Sequence, residues 1–365
     1  MRIEIEELIK RYSFFNVFDD IKKDCCKKYI YGAGSLAICL AHRLTEEGIE
    51  YEGFIVDEEY FINTNVEGNP VVSFESIDRQ QQQYSIVIGM SNYALGNKKH
   101  ECHPLIHKTY FIIDAPYKDI LIKKDVLISY KKEFEETFEL LSDEVSINCL
   151  YAWIKCSLSG IPDYCYPLAL NEQTYYNNDI FTVGYNECLL DIGAYNGDTI
   201  KQFVKQCSGK YSQIYGIEGD SDNYRDLVSN LASGGICRNV SLYNAICSDN
   251  QNRVVWGGAK NENDGRYLYA ANGVLVDADT LDNLLETRNP ITIIKMNFPN
   301  SVKVLQGGKR ILKEDHPKLA IMAGWGGMLA IDLIRNLHEI VPEYRFYLRF
   351  VSPMPSKIML LALVE

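Results

Sequence analysis

Glycines and acids that follow one predicted strand carry the most specific chemistry of the sequence. The stretch Asp191-Ile-Gly-Ala-Tyr-Asn-Gly-Asp-Thr199 leads from an apolar run into a helical pattern, and Glu218 ends the next predicted strand, 25 residues beyond Gly193. Gly193 and Gly197 let a backbone approach a ligand closely, and a helix N-terminus favours a carboxylate. Glu218 is placed to accept hydrogen bonds from two ribose hydroxyls. This pattern is typical of an S-adenosylmethionine site, and its G-x-x-x-G spacing differs from the G-x-G-x-x-G spacing of NAD sites. The alternative is a turn that serves helix packing alone.

A second glycine turn lies near the N-terminus, in Gly32-Ala-Gly-Ser-Leu-Ala37, and Asp57 ends the following predicted strand, 23 residues beyond Gly34. Such a turn would place a pyrophosphate at a helix N-terminus and a ribose hydroxyl at Asp57. Gly32, Gly34, Ser35 and Asp57 are therefore candidate residues of a second nucleotide site. The alternative is that these glycines only allow a helix and a strand to pack closely.

Strands and helical patterns alternate around both turns, which predicts parallel sheets with helices on both faces. Residues 1–28 have the pattern of one or two short amphipathic helices. Strands are predicted at residues 28–31, 51–57, 84–89, 110–114, 187–191, 213–218, 240–246, 291–296 and 318–322, and a terminal hairpin at 344–350 and 357–363.

A charge-rich helical pattern separates the two strand-rich parts of the chain. It extends from about Lys118 to Leu158 and ends where Gly160, Pro162 and Pro167 interrupt it. We therefore predict three regions: a Rossmann-like nucleotide- or nucleotide-sugar-binding domain at 1–115, a helical connector at 116–170, and a second α/β domain at 171–365.

Composition and charge exclude several classes of partner. The chain has 365 residues with 37 basic and 49 acidic side chains, a formal net charge of −12. This balance argues against nucleic acid and against an anionic membrane surface. No apolar run reaches the roughly 20 residues of a membrane helix, and the first residues lack the apolar core of a secretory signal. The 11 cysteines, an odd number, are expected to be reduced thiols. Together these features predict a cytoplasmic protein.

The C-terminal half resembles the FkbM family of S-adenosylmethionine-dependent methyltransferases. The resemblance covers about residues 170–365 and lies in the stretches Glu172-Gln-Thr-Tyr-Tyr176, NECLLDIGAYNGDT, IYGIEGDSDNY, Asn244-Ala245, Asp279-Thr-Leu-Asp282, Val304–Lys313 and Pro317–Ile321. It implies an α/β, class I (Rossmann-like) methyltransferase domain with a seven-stranded sheet, preceded here by the smaller Rossmann-like domain and the helical connector. It also implies S-adenosyl-L-methionine as cofactor and O-methylation of a sugar or a related small molecule.

The predicted cofactor contacts combine the turn, the acid and the end of the third strand, where Asn244 and Ala245 would flank the adenine. The full set is Asp191, Gly193, Ala194, Tyr195, Gly197, Asp198, Thr199, Glu218, Asn244 and Ala245.

One segment departs from the family pattern. The family follows its fourth strand with a Lys-x-Asp-x-Glu-Gly-like run, whereas this chain has Lys295-Met-Asn-Phe-Pro-Asn300. Lys295 is a candidate substrate contact, but Asn297 is neutral and cannot act as a base near pH 7. The leading prediction is a methyltransferase with a small-molecule acceptor, with Lys295 and Asn297 as candidate catalytic residues. The alternative is a catalytically degenerate protein that binds S-adenosylmethionine or another ligand.

The N-terminal segment YIYGAGSLA…GIEYEGFIVD…GNPVVSFESI…YSIVIGM resembles the small nucleotide-sugar-binding domain of bacterial sugar acyltransferases. That resemblance covers about 90 residues and implies a nucleotide sugar as the ligand of the first glycine turn. No metal site is predicted, because the spacing of His100, Cys102, His103 and His107 fits no zinc pattern. The sequence makes no prediction of oligomeric state.

Overall fold

A computed structural model describes residues 4–13, 17–90, 103–113, 121–169, 173–257, 267–268, 274–352 and 354–365. The chain divides into two compact units. The N-terminal unit comprises Met1–Ser129, Tyr151–Leu170 and Pro353–Pro355, and the C-terminal unit comprises Tyr130–Leu150, Asn171–Ser352 and Ser356–Glu365.

The N-terminal unit contains a sheet that has six strands within the described residues. Its strands are β1 (Lys27–Tyr31), β2 (Phe54–Val56), β3 (Asn65–Val66), β4 (Asn69–Ser73), β5 (Tyr84–Ile88) and β6 (Ile106–Tyr110). Their order is β3-β4-β2-β1-β5-β6, and every pair is parallel except β3 with β4. The strand order reverses between β1 and β5, which is where open α/β sheets bind ligands. The predicted Rossmann-like α/β fold is confirmed.

The helices of this unit follow from apolar spacing. Within the described residues before the middle of the chain they are α1 (Ile5–Tyr12), α2 (Val17–Lys23), α3 (Ser35–Glu46) and α4 (Phe74–Asp78). Along α3 the side chains of Ala37, Leu40, Ala41 and Leu44 recur on one face and are buried. Gly48, with a φ of +68°, follows the end of α3.

Three helices occupy the middle of the chain: α5 (Lys124–Ser129), α6 (Lys131–Leu140) and α7 (Glu144–Ser159). Two short 3₁₀ helices follow at Pro162–Tyr164 and Tyr166–Ala169. The compact units divide this region, since residues 130–150 group with the C-terminal unit and residues 151–170 with the N-terminal unit. The bounds proposed from the sequence remain a prediction.

The larger sheet of the C-terminal unit has seven strands in the described part of the chain. They are β7 (Glu187–Ile192), β8 (Tyr211–Ile217), β9 (Val240–Tyr243), β13 (Ile293–Met296), β14 (Lys318–Met322), β15 (Arg345–Phe350) and β16 (Ile358–Leu363). Their order is β15-β16-β14-β13-β7-β8-β9. β16 lies between β14 and β15 and runs antiparallel to both, so the predicted terminal hairpin is present. The strand order reverses between β7 and β13, and the seven-stranded class I fold is confirmed.

Helices connect these strands, namely α8 (Asp198–Gln206), α9 (Ser221–Ser233), α10 (Leu281–Leu284), α11 (Ser301–Gln306), α12 (Lys309–Asp315) and α13 (Leu329–Ile340). A 3₁₀ helix, Pro355–Lys357, precedes β16. No helix within the described ranges has the length and apolarity needed to cross a bilayer.

The structure differs from the sequence predictions at several places, and β3 and β4 of the N-terminal sheet are two strands that were not predicted. A small antiparallel sheet, ordered β11-β10-β12, follows β9 and was not predicted; its strands are β10 (Arg253–Gly257), β11 (Tyr267–Leu268) and β12 (Val274–Asp277). The last N-terminal strand was predicted at 110–114, but β6 ends at Tyr110 and Asp114 lies outside the described residues. The prediction followed the apolar Phe111–Ile113, which is buried beyond the strand, whereas the middle of β6 is exposed at the sheet edge.

Candidate functional site

The turn after β7 requires glycine at two positions. Gly193 and Gly197 have φ angles of +70° and +84°, in the left-handed region that L side chains avoid. A Cβ at Gly197 would lie 2.9 Å from Leu227, so the turn packs directly on α9. The backbone N–H groups of Gly193 and Ala194 both donate to the carbonyl of Ile217, at 2.9 and 3.0 Å, which attaches the turn to the end of β8.

Asp191 lies inside the sheet with no exposed surface and is held by two side chains. Its Oδ2 accepts a hydrogen bond of 2.5 Å from the Thr199 hydroxyl, and its Oδ1 lies 2.9 Å from Nζ of Lys295. Burial raises the pKa of Asp191 above its usual value, while Lys295 and Thr199 oppose that shift. Asp191 is therefore an internal anchor of the turn.

Glu218 follows β8 and is buried, with 7% of its surface exposed. Its Oε2 accepts from the backbone N–H of Tyr195 at 2.8 Å, and its Oε1 accepts from the N–H of Asp220 at 2.9 Å. Burial raises the pKa of the Glu218 carboxyl, and these two backbone hydrogen bonds oppose the shift. An ionised carboxylate offers about four acceptor positions, so each oxygen can accept one further hydrogen bond, for example from a ligand hydroxyl.

Asn244 and Ala245 follow β9, the strand at the edge of the sheet. The Asn244 amide donates to the carbonyl of Glu218 at 2.9 Å and accepts from the Ser221 hydroxyl at 3.0 Å. Asn244 is exposed and Ala245 is partly buried. The structure therefore brings the end of β9 next to Glu218. Asp198, another predicted cofactor contact, is the first residue of α8.

The segment after β13 faces the same edge of the sheet. Asn297 is exposed, and its Oδ1 accepts a hydrogen bond of 2.8 Å from the indole N–H of Trp325, which follows β14. A Cβ placed on Gly193 would lie 3.0 Å from the ring of Phe298. Asn297 thus lies at the edge of the turn, beside an aromatic ring.

Lys295 has a different environment from Asn297. Only 3% of its side chain is exposed, and its Nζ donates to the carbonyl of Gly193 at 3.1 Å besides pairing with Asp191. The ring of Tyr175 lies 5.6 Å from Nζ. Sequence reasoning treated Lys295 as a substrate contact and did not include Tyr175 or Phe298 in the site. From the sequence alone, a lysine at the end of a strand could equally contact a ligand or form an internal ion pair.

The first glycine turn joins β1 to α3 at the reversal point of the N-terminal sheet. Gly32 has a φ of +111°, and a Cβ there would lie 3.1 Å from the carbonyl oxygen of Gly89. Gly34 has open space around its Cβ position, and Ser35 is exposed. The Asp57 carboxylate accepts a hydrogen bond of 2.9 Å from Tyr31. Close packing thus explains Gly32 but not Gly34.

The histidine stretch is only partly described. His100 and Cys102 lie outside the described residues, and His103 pairs with Asp78 at 3.1 Å. His107 lies near Asp24 and Cys26, with their ligand atoms within 4.8 Å of one another. Hydrogen bonds from Ser85, Tyr110 and the backbone of Cys26 to the Asp24 carboxylate give that cluster a structural role.

Comparisons with known proteins support the fold. No protein-family model matches the sequence, and no curated protein sequence matches it. The crystal structure of Methyltransferase FkbM from Methylobacillus flagellatus KT is similar over 98% of both chains, with a TM-score of 0.73 and 18% sequence identity. That likeness shows that the two chains have similar folds.

Shorter likenesses cover half of this chain. They include a putative rRNA methylase of Clostridium thermocellum (TM-score 0.34, 10% identity, 89% of that chain) and an rRNA methylase of Streptococcus thermophilus (TM-score 0.32, 16% identity, 90% of that chain). Their TM-scores are low, so the fold assignment depends on the first structure.

Proposed function

We propose that the chain is an S-adenosylmethionine-dependent methyltransferase. One observation carries the proposal: the turn whose two glycines both have positive φ lies next to a buried carboxylate, Glu218. Both lie where the strand order of the class I sheet reverses. Carboxyl ends of β7, β8, β9 and β13 lie side by side there, as a ligand spanning several strands requires.

The donor groups fit the proposed cofactor. Both Glu218 oxygens are fixed by backbone N–H groups and retain acceptor capacity for ribose hydroxyls. Asn244 extends the surface next to that carboxylate toward the edge strand, where the adenine would lie. The N-terminus of α8 begins at the turn and favours the carboxylate of the methionine part. When bound, the sulfonium cofactor supplies an activated methyl group.

The remaining task of the protein is to orient an acceptor. Transfer from a good leaving group depends mainly on alignment of the acceptor oxygen. Asn297 and Trp325 offer an amide and an aromatic face beside the turn, and neither carries a charge. A neutral polyol fits such a surface better than an anion or a cation does, and we propose O-methylation of a sugar or glycan-related small molecule in a cytoplasmic setting.

A specific observation favours one alternative function. The positions where related enzymes carry carboxylates hold Asn297 and Pro299. Neither side chain accepts a proton near pH 7, so the alternative function is that of a cofactor-binding protein that has lost turnover. Activity toward a sugar acceptor separates the two functions, because both require cofactor binding and only one requires methyl transfer.

We propose a second ligand site at the first glycine turn. Open space at Gly34, the exposed Ser35 and the carboxylate of Asp57 lie at the reversal point of the N-terminal sheet. The start of α3 favours a phosphate. A nucleotide or nucleotide sugar has the required diphosphate and ribose, and calorimetry with uridine diphosphate tests the proposal with Asp57→Ala as the variant.

The test of the main proposal uses the full chain. Titration calorimetry with S-adenosylmethionine and with S-adenosylhomocysteine should give saturable heats, and mass spectrometry of the purified protein should detect either molecule as a copurified ligand. Folded protein that gives no heat with both forms contradicts the proposal. Methyl transfer from labelled cofactor to a panel of sugars then separates an enzyme from a binding protein.

A further inference from the structure

One buried ammonium group joins two points of the turn after β7. Lys295 and Asp191 are register partners across β13 and β7, at the place where the strand order reverses. Their charged atoms are 2.9 Å apart, with 3% and 0% of the side chains exposed. Nζ of Lys295 also donates to the carbonyl of Gly193, two residues beyond Asp191, at 3.1 Å.

The same carboxylate reaches the far end of the turn. Asp191 accepts from Thr199 at 2.5 Å, and Thr199 lies in the first turn of α8. Lys295, Asp191 and Thr199 therefore form a continuous chain of contacts from the start of the turn to the helix that follows it. The side chains of Tyr175 and the fully buried Tyr176 lie near these charges.

The turn needs such restraint because its backbone is strained. Besides its two glycines, Tyr195 has a φ of +50°, a left-handed conformation that is unfavourable for a non-glycine residue. A conformation of this kind persists when surrounding contacts over-determine it. The peptide of Tyr195 also carries the N–H that donates to Glu218, so the shape of the turn and the direction of the Glu218 carboxylate are linked.

We propose that Lys295 is a positioning residue that holds the 191–199 turn in its cofactor-binding shape. The inference rests on the proposed function, since it assigns Lys295 to the cofactor loop rather than to the acceptor. Lys295 acts through Asp191 and the Gly193 carbonyl, and its burial keeps it from contacting an acceptor. Asn297, two residues later, is exposed, so of these two side chains it is the one accessible to an acceptor.

The test compares two variants that differ in charge balance. Lys295→Met leaves Asp191 buried without a cation, which destabilises the fold. The double variant Asp191→Asn with Lys295→Met removes both charges together, so it restores much of the stability but not the donor to Gly193. Lys205→Met, an exposed lysine on α8, is the matched control. Thermal unfolding and calorimetry with S-adenosylmethionine are measured for each protein.

We expect Lys295→Met to lower both the unfolding midpoint and the cofactor affinity, the affinity by at least tenfold. In the double variant the midpoint should recover while the affinity stays at least tenfold below that of the wild type. Recovery of both quantities would mean that Lys295 only balances charge, and a wild-type affinity in Lys295→Met would also overturn the inference. If the wild-type chain itself binds no cofactor, the proposed function fails first, so the two failures are distinguishable.

Discussion

Truncation of Glu218 gives the most direct measure of the proposed cofactor site. The carboxylate accepts one backbone N–H on each oxygen, from Tyr195 and Asp220, and it is the group proposed to receive the ribose hydroxyls. Glu218→Ala removes every one of these acceptors. Leaving buried hydrogen-bonding groups without partners costs about 1–3 kcal/mol. The dissociation constant for S-adenosylmethionine should therefore rise by about 5-fold to about 150-fold.

The assay is titration calorimetry at pH 7.5 with three variants of the chain. Asp226→Ala, an exposed acid on α9, is the matched control and should bind as the wild type does. Glu218→Gln keeps one side-chain oxygen as an acceptor, so its loss of affinity should lie between those of the other two variants. Wild-type affinity in a folded Glu218→Ala protein would refute the assignment of Glu218 to the ribose.

The pH dependence of binding follows from the same carboxyl group. Burial raises the pKa of Glu218 above the ordinary glutamate value, so in the free protein it takes up its proton at a higher pH than an exposed glutamate does. For folding, the raised pKa means that its stabilising contribution is present at low pH and is lost as the pH rises through that pKa. The affinity for the cofactor should depend on pH in the opposite direction and increase as the pH rises, because the ribose hydroxyls need the ionised carboxylate as acceptor. The affinity advantage of the wild type over Glu218→Gln should shrink as the pH falls from 7 toward 5, and a constant advantage would contradict this reasoning.

Three further predictions concern turnover and stability. Asn297→Asp keeps the oxygen that accepts from the Trp325 indole, so it should change the rate of methyl transfer little. Methyl transfer in the wild type should also survive a chelator, because Asn297 and Pro299 offer no carboxylate to a metal ion. Loss of activity with EDTA and recovery on added divalent metal would contradict this metal-free transfer. Gly197→Ala should destabilise the fold by about 1–3 kcal/mol in chemical denaturation, from its positive φ and the close approach of α9, whereas Gly34→Ala in open space should stay within about 0.5 kcal/mol of the wild type. Arg349→Met removes a buried guanidinium that pairs with Asp143 at 2.7 Å and with Asp179 at 2.9 Å. Because both carboxylates are partly exposed and water can solvate them, the loss should be about 1–3 kcal/mol in the same measurement; an unchanged stability would contradict this.

Local sequence patterns were enough to predict the main elements of the chain. The mainly apolar runs of β5, β7 and β14 are typical of parallel strands buried on both faces, and the glycines that follow β1 and β7 indicated turns into helices. The resemblance to a known family added the seven-stranded class I fold, which the structure confirms. The small β10–β12 sheet gave no such signal, because its short antiparallel strands lack a long apolar run.

The candidate site shows where local information ends. The sequence alone determined which residues are able to act: glycines for positive φ, an acid after β8, and an amide in place of a carboxylate at Asn297. Only the tertiary structure decided their partners. Lys295 and Asn297 lie two residues apart on one strand end, yet the first is buried against Asp191 of β7 and the second is exposed beside Trp325. The pairing of β13 with β7 and β14 determines why Lys295 is buried and Asn297 is exposed. Lys295 and its partners on the β7 side are more than 100 residues apart in the sequence, so their pairing depends on the packing of the whole sheet and not on sequence neighbours.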